Sequence, residues 1–231
     1  MTRPAALFVR IPPLPAAIEP AWNRWYDEEH IAYRLPLRGF VGARRFSVDR
    51  GPIRHVALYE LADVSALTEP EYLAHRRWEE ALPSDRFESI APSLAGFARG
   101  VYQQSWPRNA SYSPPPGEAL LIVDLDTAAL SPEALARWFE DEHAPALRSI
   151  EGVHALRLLH LEQSLLGPAS GRRNDKPATI AIYELATGSV ASRDDFRAAM
   201  AGANTSARVV PADDATWTLA SLVYSSFRAA G

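Results

Sequence analysis

Six histidines and no cysteine set the chemistry open to this 231-residue chain. Imidazole acid–base work is available near neutral pH, while thiolate nucleophiles, disulfides and cysteine-based metal sites are not. Two of the histidines close closely similar runs, Trp22-Asn23-Arg24-Trp25-Tyr26-Asp27-Glu28-Glu29-His30 and Trp138-Phe139-Glu140-Asp141-Glu142-His143. Residues three and four apart share a helix face, so Trp22, Tyr26, His30 and Tyr33 form one stripe and Leu135, Phe139, His143 and Leu147 its counterpart. Both histidines therefore lie toward an apolar side. Two readings stay open for them: general acid or base, or a histidine near a helix C-terminus tied to local backbone carbonyls. Glu29 and Glu142 either orient a histidine or arginine inside the protein or are solvated. Asp27, Glu28, Glu140 and Asp141 are expected to face solvent.

Further candidates sit on strands. Arg44 lies in the row Phe40, Gly42, Arg44, Phe46, Val48, and Arg157 in the matching row Val153, Ala155, Arg157, Leu159, Leu161. An arginine amid apolar residues needs an acceptor. It either binds a carboxylate or enolate oxygen of a ligand or, the favoured reading, braces the interior by pairing with Glu29 or Glu142. His55, Ala57 and Tyr59, matched by Thr179, Ala181 and Tyr183, alternate with Val56 and Leu58, which read as the helix-covered side. The polar tips beside small alanines then suit a mostly apolar ligand pocket, with Trp25, Tyr26, Tyr33 and Tyr183 joining Arg44 and Arg157 as substrate-contacting groups. His75 and Trp78 read as a surface or subunit contact, and His154 and His160 share one strand face. No histidine pair has helical metal-ligand spacing, so no metal is expected, and there is no phosphate loop or nucleophile elbow.

A net charge of −4 without a basic run disfavours nucleic acid as a partner. No stretch is long enough to span a bilayer, and the apolar run Ala5–Val9 is too short for a signal peptide. The expectation is a soluble, cytoplasmic protein acting on a small organic substrate.

The elements that must position these residues occur twice. His30 to His143 is an offset of 113 residues, shared by Gly39 with Gly152, Arg44 with Arg157 and Leu7 with Leu120. Tyr59-Glu60-Leu61 returns as Tyr183-Glu184-Leu185 at an offset of 124, which puts 11 extra residues in the second copy, assigned to Gly167–Asn174. Strand, helix, hairpin, helix and strand follow in each copy, a β-α-β-β-α-β order that is ferredoxin-like. The boundaries read as repeat one at 1–106, a proline-rich linker at 107–117 and repeat two at 118–231, with Gly167–Lys176 an exposed loop.

Trp22-Asn23-x-Trp25-Tyr26-x-x-Glu29-His30, followed by Leu37-x-Gly39-Phe40 and Ala43-Arg44-Arg45-Phe46, resembles the EthD-like branch of the dimeric α+β barrel superfamily. The likeness covers most of both copies, although the second has Gly152-Val153 for Gly-Phe and the first has Ala32 where the second has Pro145. The resemblance implies an α+β fold in which two ferredoxin-like repeats form one intrachain barrel around a central cavity. Such a chain is a monomer with a pseudo-dimeric barrel, its outer surfaces open to homodimerisation.

The superfamily includes lactone isomerases, polyketide cyclases and oxygenases with or without haem, so fold alone leaves the reaction open. The leading expectation is cofactor-independent proton transfer (isomerase, cyclase or lyase), with His30 or His143 as base and Tyr59 or Arg44 stabilising an oxyanion. The alternatives are a haem-binding or cofactor-free monooxygenase, with haem held by one histidine, and a non-catalytic ligand-binding or accessory protein. The first copy, with His30, His55, Tyr59 and Arg44, is expected to supply the more reactive lining.

Overall fold

The computed structural model describes residues 3–107, 117–128, 130–162, 177–204, 206–211 and 217–228. The interval expected to be an exposed loop, Gly167–Lys176, lies outside the described residues, as does most of the proline-rich linker. Among the described residues no helix is long and apolar enough to cross a membrane.

In the first half of the chain, β1 (Ala5–Ile11) leads to α1 (Glu19–Trp25), a π-helical turn (Tyr26–His30) and α2 (Ile31–Arg34). The hairpin β2 (Phe40–Val48) and β3 (His55–Leu61) follows, then α3 (Pro70–Glu80), α4 (Phe87–Ser93) and β4 (Ala98–Trp106). The second half repeats the order with β5 (Ala119–Asp124), α5 (Pro132–Trp138), a π-helical turn (Phe139–His143), α6 (Ala144–Arg148), β6 (Val153–Leu161), β7 (Thr179–Leu185), α7 (Asp194–Ala203) and β8 (Thr218–Phe227). Local chemistry sets the helix starts. Pro20 and Pro132 occupy first-turn positions where a missing N–H costs nothing, and Ser131 Oγ accepts from the Ala134 N–H at 3.2 Å. Gly39 and Gly152, matched in sequence, are matched in conformation at φ +85° and +86°. A Cβ on Gly39 would stand 2.5 Å from the Ala66 Cβ, so only glycine fits.

All eight strands close into one barrel in the order β1-β3-β2-β8-β5-β7-β6-β4. The first half contributes the arc β4-β1-β3-β2 and the second half the arc β8-β5-β7-β6, joined antiparallel where β2 meets β8 and β4 meets β6. The pleat sends alternate side chains inward and outward. Facing the lumen are Ala6, Phe8, Phe46, Val48, Val56, Leu58 and Tyr102 of the first half and Leu120, Ile122, Leu159, Ile180, Ile182 and Ala220 of the second. The outer face of each arc packs under its own helices, giving two further cores.

The lumen also holds four buried charges. Arg44 donates to both Glu184 carboxylate oxygens at 2.7 and 2.8 Å, and Arg157 to both Glu60 oxygens at 2.8 and 3.0 Å. Longer contacts, Arg44 to Glu60 at 3.3 Å and Arg157 to Glu184 at 3.4 Å, close the ring. Each bidentate pair runs from one half to the other. The internal-brace reading of Arg44 and Arg157 thus holds with other partners than expected, because Glu29 and Glu142 are exposed on the helices. At the lumen mouth Arg10 donates to Asp124 at 2.9 Å, a third link between the halves.

Candidate active site

The lumen is packed by apolar side chains around an ion cluster, and a pocket lies outside the barrel, in the first half, between the outer face of β1, β3 and β4 and the helices α1 to α4. Its cavity volume is about 60 Å³, and it is partly open to solvent. Expected and observed faces of β3 are reversed: Val56, Leu58 and Glu60 point into the lumen, while His55, Ala57 and Tyr59 point to the helices. A strand buried on both sides carries no polar alternation to mark its faces, so the rule that separates inside from outside had nothing to act on. Phe40 departs from the row of Arg44 for a second reason, the bulge between Phe40 and Gly42 that returns it to the helix side.

The pocket is built around the π-helical turn. The Ile31 N–H bonds the Tyr26 carbonyl, five residues back, and this wider turn brings His30 alongside Trp25 and Tyr26, with ring centroids 4.9 and 4.6 Å away. Such bulges recur at functional sites. His30 Nε2 accepts from Arg34 Nε at 3.2 Å, and Nδ1 is turned toward Glu79 Oε1 at 3.7 Å. Burial pushes the imidazole well below its ordinary value and the Arg34 charge adds to this, against the opposing pull of Glu79. His30 is therefore neutral at physiological pH, with its proton on Nδ1 and its lone pair on Nε2.

Arg34 lies on the next turn, 4% exposed, and Nη2 donates to both Glu79 oxygens at 2.7 and 2.8 Å. Among the described residues its Nη1 has no hydrogen-bond partner. Glu79 also receives Arg76 at 2.8 Å. Burial alone would raise this carboxyl, but Arg34, His75, His30 and Arg76 together hold it far below the usual carboxylate range. The Tyr59 hydroxyl donates to the Tyr26 hydroxyl at 3.0 Å, which leaves the Tyr26 proton free for another acceptor. Burial raises both phenols, so neither ionises near neutrality. The Arg45 guanidinium stands 4.6 Å from the Tyr26 ring centre and donates to Asp27 at 2.6 Å, so Asp27 is an internal partner rather than a solvent-facing charge. Trp22, Trp25, Phe87, Phe97, Leu7, Val9 and Ile11 complete the wall.

The matched place in the second half is filled and sealed. His143 is 0% exposed and its Nε2 meets the Tyr183 hydroxyl at 2.7 Å. Burial drives its pKa down to about 3. At the repeat offsets, Tyr26 is replaced by Phe139, Arg34 by Leu147, Arg45 by Leu158, Tyr72 by Phe196, Arg76 by Met200 and Glu79 by Ala203. The histidine, the strand tyrosine and the neighbouring tryptophan (Trp25, Trp138) persist. Neither histidine bonds a backbone carbonyl.

Of the residues singled out from sequence, His30, Tyr59, Trp25 and Tyr26 come together in this pocket. His55 does not: it lies at the other end of the sheet face, with Nε2 on Glu19 at 2.8 Å. Arg44 and Arg157 are consumed in the lumen, and His143 and Tyr183 are shut in the second core. Thr179 bonds His160 at 2.9 Å. Tyr33 is 61% exposed, because Arg34 takes the inward place on that turn. The pocket residues that sequence reading missed are Arg34, Glu79, Arg76, Arg99 and Phe87. Arg76 and Glu79 lie on the helix read as a surface or subunit contact, and Arg34 and Arg99 were given no role. The available signal was the spacing of Tyr72, Arg76 and Glu79, one inward stripe on α3.

No family model matches the chain, and no curated protein sequence matches it. Solved structures do match. A candidate monooxygenase of Fusobacterium nucleatum aligns with 98% of this chain and 95% of its own at a TM-score of 0.58 and 9% identity. A candidate chlorite dismutase aligns over 97% and 96% of the two chains at 0.55 and 16% identity. A haem-binding protein of Thermus thermophilus does so over 97% and 92% at 0.52 and 11% identity. At these identities the likeness is one of fold.

Proposed function

We propose that the chain is an enzyme that moves a proton on a small, largely apolar organic substrate in the first-half pocket, without a cofactor. The observation that carries this reading is the contrast between the halves: one framework and one histidine, surrounded by Arg34, Glu79, Tyr26 and Arg76 on one side and by Leu147, Ala203, Phe139 and Met200 on the other. Packing alone is served by the second arrangement, and buried charges without a use cost stability. Trp22, Trp25, Phe87 and Phe97 would hold a planar substrate. Its carbonyl or phenolic oxygen would take the free Arg34 Nη1 and the free Tyr26 proton, a preorganised pair of donors for a developing oxyanion. Drawing Arg34 onto that oxygen loosens its bond to His30 Nε2, whose lone pair then accepts the C–H proton. The electron pair moves to the oxygen to give an enolate, and Glu79 faces the imidazolium through Nδ1. Reprotonation at another carbon isomerises the substrate, attack on an internal electrophile cyclises it, and loss of a leaving group makes the reaction a lyase.

With this reading goes membership of the EthD-like branch in tandem form, residues 1–106 and 118–231 being ferredoxin-like repeats within a monomer. The same strand order in the two arcs supports it. Haem does not fit the first-half pocket or the sealed histidine of the second half. An axial histidine needs a free ring nitrogen toward a cavity, yet His30 Nε2 is taken by Arg34 and His143 is sealed against Tyr183.

The test is deuterium exchange into a panel of enolisable carbonyl compounds and phenols, followed by NMR. Exchange should fall about 10²–10⁴-fold in His30→Gln and be unchanged in a His143 variant that folds. Exchange surviving intact in His30→Gln would refute the reading. A second reading, cofactor-free oxygenation, is favoured by the aromatic wall, which suits an electron-rich ring. It starts from the same deprotonation and is distinguished by oxygen consumption.

A further inference from the structure

Two guanidiniums converge on Tyr72. Arg34 lies over its ring at 5.7 Å, and Arg99 of β4 donates to its hydroxyl. Both line the pocket. Arg34 divides its donors between Glu79 and His30 and keeps Nη1 unpartnered, although the side chain is 4% exposed. Arg99 forms no ion pair among the described residues. Glu79 is shared between Arg34 and Arg76, and no carboxylate of the wall pairs with Arg99 among the described residues. Arg76 also reaches Glu80, and Glu88 lies 3.9 Å from Arg86. Three arginines thus face two carboxylates, an excess of one positive charge in a mostly apolar space. Burial lowers the Arg99 pKa; Tyr72 opposes this, and the like charges of Arg76 and Arg34 push it down again against Glu79.

We infer that the pocket is a receptor for one monoanion, and that the substrate is an aromatic or otherwise planar monocarboxylate whose carboxylate sits on Arg99 and one N–H of Arg34 Nη1, the second N–H and the Tyr26 proton being left to the reacting oxygen. The assignment deepens the proton-transfer reading: it names the substrate class for the same site. A carboxylate matches the guanidinium fork, relieves the repulsion between the two arginines and satisfies the orphaned Nη1. The carboxylate anchor leaves the apolar body of the ligand against Trp22, Trp25 and Phe87, in reach of His30.

The experiment is calorimetry on the full chain with benzoate, salicylate and 1-naphthoate, each beside its neutral carboxamide. The best carboxylate should bind about ten-fold or more tightly than its amide, as a charge-assisted pair warrants. Arg99→Gln should reduce that preference to about three-fold or less while leaving the amide affinity unchanged. Arg99→Lys, which keeps the charge and loses the fork, should fall between. Amides that bind as tightly as the acids to the wild type, no acid binding below about 1 mM, or a preference that survives Arg99→Gln would each overturn the assignment. The wild-type comparison decides even where Arg99→Gln fails to fold. His30→Gln separates the two claims: it should abolish proton exchange and leave the carboxylate preference intact.

Discussion

Grafting the second half's residues onto the first-half pocket separates stability from function at one ion pair. In Glu79→Ala, Arg34 stays buried with only the His30 ring as partner, and stranding one member of such a pair costs about 3–5 kcal/mol. In Arg34→Leu, the Glu79 carboxylate keeps Arg76 at 2.8 Å, so the loss should be smaller, about 2–3 kcal/mol. The double variant Arg34→Leu/Glu79→Ala reproduces Leu147 and Ala203 and leaves neither charge stranded. Replacing a buried pair by apolar residues is often neutral, so the double should lie within about 1 kcal/mol of wild type, a coupling of several kcal/mol. At about 2–4 °C per kcal/mol for a chain of this size, the singles should melt roughly 5–15 °C lower and the double within a few degrees of wild type.

Urea titration at neutral pH and again in mild acid is the assay. Because the folded-state pKa of Glu79 is depressed, its contribution is present above the carboxylate range and lost as pH falls below it. The wild type should weaken in acid more steeply than the double. Proton exchange on the substrate should be lost in all three variants. Additive effects, with the double worse than either single, would refute the picture of a pair kept for chemistry rather than for packing.

Other outcomes follow from the same coordinates. Exchange activity should show no imidazole inflection near 6.5, because the depressed His30 remains in its base form through neutrality and into acid; a pH–rate profile checks this. Tyr26→Phe, the second-half residue at that position, should lower activity about 10²-fold by removing an oxyanion donor, read as kcat at saturating substrate. Glu60→Gln should destabilise the barrel by about 3–5 kcal/mol in denaturant titration, since it removes one of the two carboxylate charges that balance Arg44 and Arg157 in the lumen. His143, held to a pKa of about 3 by burial, takes up a proton on unfolding but not in the native state below the ordinary 6.5. Stability should therefore fall by roughly 1 kcal/mol per pH unit from that point down toward its folded pKa, and the slope should flatten in His143→Phe/Tyr183→Phe.

The order of strands and helices was legible in the sequence because local signals occur twice: the aromatic–acid–histidine run, the Gly39 and Gly152 turns, and the hairpin with its central arginine. Those features placed the β-α-β-β-α-β order and most element boundaries, and they brought His30, Tyr26, Trp25 and Tyr59 forward. Helix α4 was not foreseen, and its Phe87 forms part of the pocket wall.

Three matters were decided only by the tertiary structure. Which face of β3 met the lumen depended on packing, because both faces are buried and each mixes apolar with polar residues, His55 and Tyr59 on one and Glu60 on the other. The partners of Arg44 and Arg157 are glutamates on strands of the other half, a pairing that exists only once the barrel has closed. The pocket itself arises where α3 lays Glu79 beside Arg34, 45 positions earlier in the chain. Each of those charges alone reads as surface. Proximity, which no local pattern encodes, makes them the polar wall of a site.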